Sequence, residues 1–195
     1  MKEFPVRKKI RLQGYDYSSN GAYFVTFCVE NKHELLGKIV GSGFHARPTA
    51  NTNIIGSDFQ CPVGHENHAR PTVELTEIGI EIQKSIEFMC KNNPKIKIPK
   101  YIIMPNHVHM IVVLSTVRQR GDTVGHGSPT LQSVVGRIKS YTAKCWCDIY
   151  GLEHQSFWQS RFHDHIIRNK EEYERICQYI DENPLKWAED SYFVE

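Results

Sequence analysis

The chain has 195 residues, 40% of them hydrophobic and 24% charged, which are the values of an ordinary globular protein and too short a length for two full domains. No apolar run approaches the roughly 20 residues of a membrane-spanning helix, and the basic stretch 1–13 lacks the apolar core of a signal peptide, so a cytoplasmic protein is expected. A net charge of only +2 does not by itself point to nucleic acid.

Residues 21–30 read as a strand. Tyr23, Val25, Phe27 and Val29 alternate with Phe24, Thr26 and Cys28 in an aromatic and β-branched run. Residues 35–40 are its expected hairpin partner. The stretch 41–71 is rich in Gly, Asn, Pro and His, without a period, and it carries the pentapeptide His-Ala-Arg-Pro-Thr at His45–Thr49, which recurs at His68–Thr72. A related string, Val-Gly-His-Gly-Ser-Pro-Thr, ends at Thr130. These stretches, about 41–71 and 116–129, read as loop insertions in a single domain covering 1–195. Residues 73–91 predict a helix with Thr72 as N-cap and an apolar stripe of Leu75, Ile78, Ile82, Ile86 and Met89. Asn92-Asn93-Pro94 stops it.

Residues 96–104 and 107–114 predict two strands around a Pro105-Asn106 turn, hence an antiparallel hairpin. Residues 131–146 predict a second helix, with Leu131, Val134, Val135, Ile138, Tyr141, Thr142 and Cys145 on one face and Arg137, Ser140 and Lys144 on the other. A strand is expected near 165–168. A last helix, 171–182, ends at Asn183-Pro184. The order β, α, β, β, α, β is that of a ferredoxin-like α+β unit, a four-stranded antiparallel sheet with helices on one face. The C-terminal helix is extra to that unit.

Ten histidines and six cysteines stand out. The cysteines form no CxxC pair and read as reduced thiols. Two histidine pairs sit at i, i+2: His107 with His109, and His163 with His165. On a strand such a pair points to one side, which suits either a metal ion or two satisfied core imidazoles. On the last helix Tyr173, Ile176, Cys177 and Ile180 form the apolar stripe. Tyr179 falls on its flank with Asn183 one turn above.

The string Tyr101-Ile-Ile-Met-Pro-Asn-His-Val-His-Met-Ile-Val-Val resembles the His–hydrophobic–His (HUH) motif of single-tyrosine transposases of the insertion-sequence 200 type. More narrowly the chain resembles the REP-associated tyrosine transposases. The supporting strings are Tyr15-Asp-Tyr-Ser-Ser-Asn-Gly-Ala-Tyr-Phe-Val-Thr, Ile138-Lys-Ser-Tyr-Thr, Phe157-Trp-Gln-Ser-Arg-Phe-His-Asp-His-Ile-Ile-Arg and Tyr179-Ile-Asp-Glu-Asn-Pro-Leu-Lys-Trp. The resemblance implies a ferredoxin-like catalytic core, with His107 and His109 binding Mg²⁺ or Mn²⁺ and Tyr179 on the C-terminal helix as nucleophile. Asn183, where insertion-sequence relatives carry Gln, is the implied third ligand. It also implies nicking and rejoining of single-stranded DNA with short hairpins through a 5′-phosphotyrosine, by a homodimer or a monomer. The alternative is an inactive relative that only binds hairpin DNA.

The near-neutral charge conceals an uneven distribution. Residues 1–13 carry five Lys/Arg against one acid, 115–147 carry five against one, and the segment from Glu171 onward is acidic. Arg137, Ser140 and Lys144 read either as a phosphate-tracking stripe or as a solvated helix face. Trp158 and Phe162 read either as base-stacking or as core residues. Arg161 and His165 complete the candidate DNA contacts.

Overall fold

A computed structural model describes residues 20–41, 71–115, 129–152 and 156–193. Four strands build the main sheet: β1 (Gly21–Cys28), β4 (Ile96–Ile103), β5 (His107–Leu114) and β6 (His163–Ile167), in the order β4-β5-β1-β6 and antiparallel throughout. This is the expected ferredoxin-like arrangement. β4 lies at an edge and carries Pro99, and its register slips by one residue between Lys97 and Lys100. A bulge on an edge strand is where a residue without an N–H can sit.

Strand alternation divides the molecule into two layers. Tyr23, Val25 and Phe27 of β1 and Val108, Met110, Val112 and Leu114 of β5 face α1 (Glu77–Asn92) and α2 (Leu131–Tyr150). There they bury a large apolar core with Ile78, Ile82, Ile86, Val134, Val135 and Ile138. The intervening residues face the other way. Ala22 and Ile111, with Ile167 of β6, pack on Tyr173, Cys177 and Ile180 of α3 (Lys170–Glu182). The extra helix therefore covers the sheet face left bare by α1 and α2.

Local signals set the helix ends. Thr76, not Thr72, caps α1: its Oγ1 accepts from Gly79 N at 3.3 Å and donates to Leu35 O at 2.7 Å. A Cβ on Gly79 would fall 2.1 Å from Leu36 O, so only glycine lets this turn seat on the chain beside it. Residues 72–75 are not helix but β3 (Thr72–Leu75), which pairs with β2 (Gly37–Val40) in a separate two-stranded ribbon. The expected pairing of 35–40 with the first strand is thus replaced by a pairing with residues that lie beyond 41–71 in the chain.

α2 begins in a capping box of Thr130 and Ser133 and runs four residues past the expected Trp146, until Gly151 closes it at φ 63°. Tyr141, expected on the apolar face, is exposed and donates its hydroxyl to Glu81 on α1 at 2.9 Å. α3 leads directly into a short 3-10 helix, Asn183–Glu189, where the sequence suggested a stop.

The His-Ala-Arg-Pro-Thr copies lie outside the described residues, apart from Pro71 and Thr72 at the end of the second. Cys28, Cys90, Cys145 and Cys147 are free thiols as expected, whereas Cys177 is disulfide-bonded, against expectation. Among the described residues no helix is long and apolar enough to cross a membrane.

Candidate active site

The β4–β5 turn delivers His107 and His109 to the α3 side of the sheet, where both rings are fully buried. Cross-strand register supplies their partners. Thr26 stands opposite His109, and its Oγ1 lies 2.7 Å from His109 Nδ1. Asn106, itself fully buried, sets its Oδ1 2.9 Å from His107 Nδ1. A carbonyl oxygen can only accept, so His107 carries its proton on Nδ1 and turns a bare lone pair outward at Nε2.

The two Nε2 atoms lie 3.0 Å apart, and Tyr179 Oη lies 3.3 Å from that of His109. Burial drives both pKa values down, to about 2 for His107 and about 3 for His109. The companion ring and Lys32 add to the effect at His107, and the His163 charge does so at His109. Both imidazoles are therefore neutral at pH 7, the form that ligates metal.

Their spacing fits a shared cation. Two ligands at right angles, each about 2.1 Å from one ion, stand about 3.0 Å apart. Nδ1 partners that orient each ring are the usual outer support of such a site.

Tyr179 lies on the flank of α3, 42% exposed, with its ring edge-on to Phe24 at 5.9 Å and 5.2 Å from the His109 ring. Burial and the nearby Asp190 charge raise its pKa above 10, and a hydrogen bond from Asn183 lowers it in part. Asn183 is buried just beyond α3. Its Nδ2 donates to Asp190 Oδ2 at 3.2 Å, while its Oδ1 is buried without a hydrogen-bond partner. Ligand atoms of His107, His109 and Asp190 all lie within 4.8 Å of one another.

His107, His109, Tyr179 and Asn183 are thus brought together, and the other candidates are not. His165 Nε2 is held by Glu172 Oε1 at 2.7 Å, seven residues before Tyr179, or about 10 Å along the helix. It serves the N-terminal turn of α3 rather than the pocket. Trp158 is a core residue, which corrects its reading as a base-stacking surface. It is 5% exposed, its Nε1 donates to Thr142 Oγ1 at 2.9 Å, and it packs edge-on against Phe27 and Phe157. Phe162 is half-buried against the same core. Arg137, Ser140 and Lys144 are exposed on α2, in the helix layer across the sheet from the histidines, and Arg161 is exposed before β6.

Sequence reasoning missed Thr26, Asn106, Asp190 and Tyr192, whose ring lies 4.5 Å from that of His107. Asn106, directly before the histidine pair, was open to notice. Thr26 needs the strand register to be recognised.

Three comparisons bear on this geometry. The family model described as Transposase IS200 like matches residues 67–183. An uncharacterized protein of Haemophilus influenzae is 27% identical over 205 residues, covering 97% of this chain and 94% of the relative. A REP-associated tyrosine transposase, solved bound to a REP hairpin, superposes with a TM-score of 0.51 at 20% identity, covering 91% of this chain and 74% of the other, and so shares its fold. The match to the family model spans more than half of the chain and includes both histidines and Tyr179, and the chain belongs to the IS200-like transposase family.

Proposed function

We propose that this transposase is a divalent-metal-dependent single-stranded DNA transesterase of the cytoplasm, which nicks and rejoins hairpin-bearing DNA through a 5′-phosphotyrosine on Tyr179. The observation that carries the reading is the placement of the Tyr179 hydroxyl 3.3 Å from His109 Nε2, which itself faces His107 Nε2 at 3.0 Å. A nucleophile and a cation-binding pair on unconnected elements meet at one point, at the open flank of a buried sheet face.

Mg²⁺ or Mn²⁺ bound between the histidines would neutralise charge on the scissile phosphate and help the phenol ionise. His107 and His109 remain neutral ligands because burial keeps protons off them. Tyr179 Oη attacks phosphorus and loses its proton. The bond from phosphorus to the 3′-oxygen breaks, and that oxygen leaves with the electron pair and takes up a proton. One phosphoester replaces another, so the reverse attack by a 3′-hydroxyl rejoins strands without ATP. The Asn183 hydrogen bond favours the phenolate. Its unpartnered Oδ1 supports a place beside the cation.

Arg137, Ser140, Lys144 and Arg161 are the exposed candidates for backbone contacts with DNA outside the pocket.

The test is a denaturing gel. Wild-type protein, Mn²⁺ and a labelled hairpin-bearing single strand from the host genome give a covalent adduct, and Tyr179→Phe gives none. An adduct that survives in Tyr179→Phe removes Tyr179 from the role. Binding without an adduct on every cognate hairpin favours the inactive DNA-binding alternative.

A further inference from the structure

We propose that Asp190 is a third protein ligand of the divalent cation, brought to His107 and His109 by the chain that follows α3. The inference rests on the metal-dependent reading above and goes beyond it in naming a carboxylate that neither the His-x-His string nor the tyrosine helix contains.

Position comes first. The Asp190 carboxylate and the two imidazole nitrogens lie within 4.8 Å of one another, a span that one ion can bridge after small side-chain adjustments. Orientation comes next. Asp190 Oδ1 accepts the Tyr192 N–H at 2.8 Å, and Oδ2 accepts from Asn183 Nδ2 at 3.2 Å. Each oxygen of an ionised carboxylate can accept more than one partner, so both retain lone pairs after these bonds.

Charge is the third point. The carboxylate lies against two imidazoles that carry no charge, and among the described residues no ion pair reaches it. A half-buried carboxylate held by two neutral donors, beside two uncharged imidazoles, is a group that a cation would complement.

The segment that carries Asp190 is fastened at the site rather than draped over it. Asn106, whose Oδ1 orients His107, donates through Nδ2 to Tyr192 O at 2.8 Å and to Lys32 O at 3.0 Å. Lys32 Nζ donates to Ser191 O at 2.8 Å and lies 5.4 Å above the Tyr192 ring. Trp187 is buried 5.8 Å from the His107 ring. One buried amide thus orients the first histidine and ties down the strand of chain that bears the acid.

Two neutral imidazoles and one carboxylate leave a divalent ion with a residual positive charge and open coordination positions. That is the requirement for accepting an anionic phosphodiester. Asn183 then acts on Asp190 as a positioning residue, whether or not its own Oδ1 also reaches the ion.

The test is Mn²⁺ binding to the full chain without DNA, read by loss of the free-ion electron paramagnetic resonance signal and by the Mn²⁺-induced rise in melting temperature. Wild type is expected to bind one ion. Asp190→Asn keeps an acceptor for Tyr192 N–H and should weaken binding by about 10- to 100-fold, the range typical for loss of a metal-site group, with its thermal rise reduced in step. Asp190→Ala should match it. Wild-type-like affinity in both Asp190 variants, with His107→Ala still abolishing binding, overturns the proposal and leaves the metal-dependent reading intact. No Mn²⁺ binding by wild type overturns both.

Discussion

The two faces of the main sheet are made from the same strands but do different work. On β5, Val108, Met110, Val112 and Leu114 enter the core beneath α1 and α2, while His107, His109 and Ile111 face α3 and the segment beyond it. Along β1 and β5 the first face is apolar and owes its stability to area removed from water, with buried Asp164 of β6, opposite Val25, as a polar exception. The second changes along its length. Ile111 and Ala22 meet Tyr173 and Cys177 as ordinary core, and two residues further along β5 the same surface buries His109, Thr26, Asn106 and His107. The Nδ1 side of each ring is satisfied there by a buried neighbour, at 2.7 Å for His109 and 2.9 Å for His107. The helix face therefore fixes the scaffold, and the far end of the other face holds polar atoms in a chosen orientation.

Substitutions should separate the two faces. The largest effect belongs to the polar end: His109→Ala removes the nitrogen that faces both His107 and Tyr179, and adduct formation with hairpin DNA and Mn²⁺ should slow by about 10³-fold or more. Met110→Ala, one residue away on the opposite face, should instead lower unfolding stability by about 2–5 kcal/mol in denaturant titration. Its adduct rate per folded molecule should stay near wild type. A Met110→Ala variant that is stable but inactive would break the division.

Trp158→Phe should cost about 1–3 kcal/mol, because Thr142 loses its buried partner, without changing DNA affinity. A selective loss of affinity would restore Trp158 to the DNA surface.

Acid should act through the polar end. His107 and His109 have folded pKa values far below the unfolded value of about 6.5, so the unfolded chain binds the extra protons. Their contribution is intact above about pH 6.5 and is lost progressively as pH falls toward the folded values. Metal-free protein should lose stability between about pH 6.5 and 4, and a His107→Gln, His109→Gln double variant should show a flatter profile.

The smallest effect is expected at the α2 surface. Arg137→Gln with Lys144→Gln should reduce the salt dependence of DNA binding by about one to two in slope and leave the adduct yield at saturating DNA unchanged.

Much of this organisation was legible in the chain. Strict alternation in 107–114 placed both histidines on one side, and helical periodicity separated Tyr173, now buried, from Tyr179, now exposed. Legibility failed wherever the partner is distant in sequence. Residues 35–40 read as the partner of the nearest strand because sequential strands usually pair, whereas β2 pairs with the more distant β3. Thr72 reads as the cap of the first helix, but the β-branched Thr72 and Val73 enter that ribbon and Thr76 caps the helix instead. Asp190 follows an Asn-Pro that reads as a helix end, in a segment without period, so nothing local announces that it returns to His107.

The division of labour between the two faces rests on Tyr179 being the residue that joins DNA. The direct measurement is mass spectrometry of the protease-digested adduct formed with Mn²⁺ and a hairpin-bearing single strand. The account predicts a 5′-phosphonucleotide on the peptide containing Tyr179 and on no other. A nucleotide attached to a different residue, or none attached when DNA is cleaved, would contradict it.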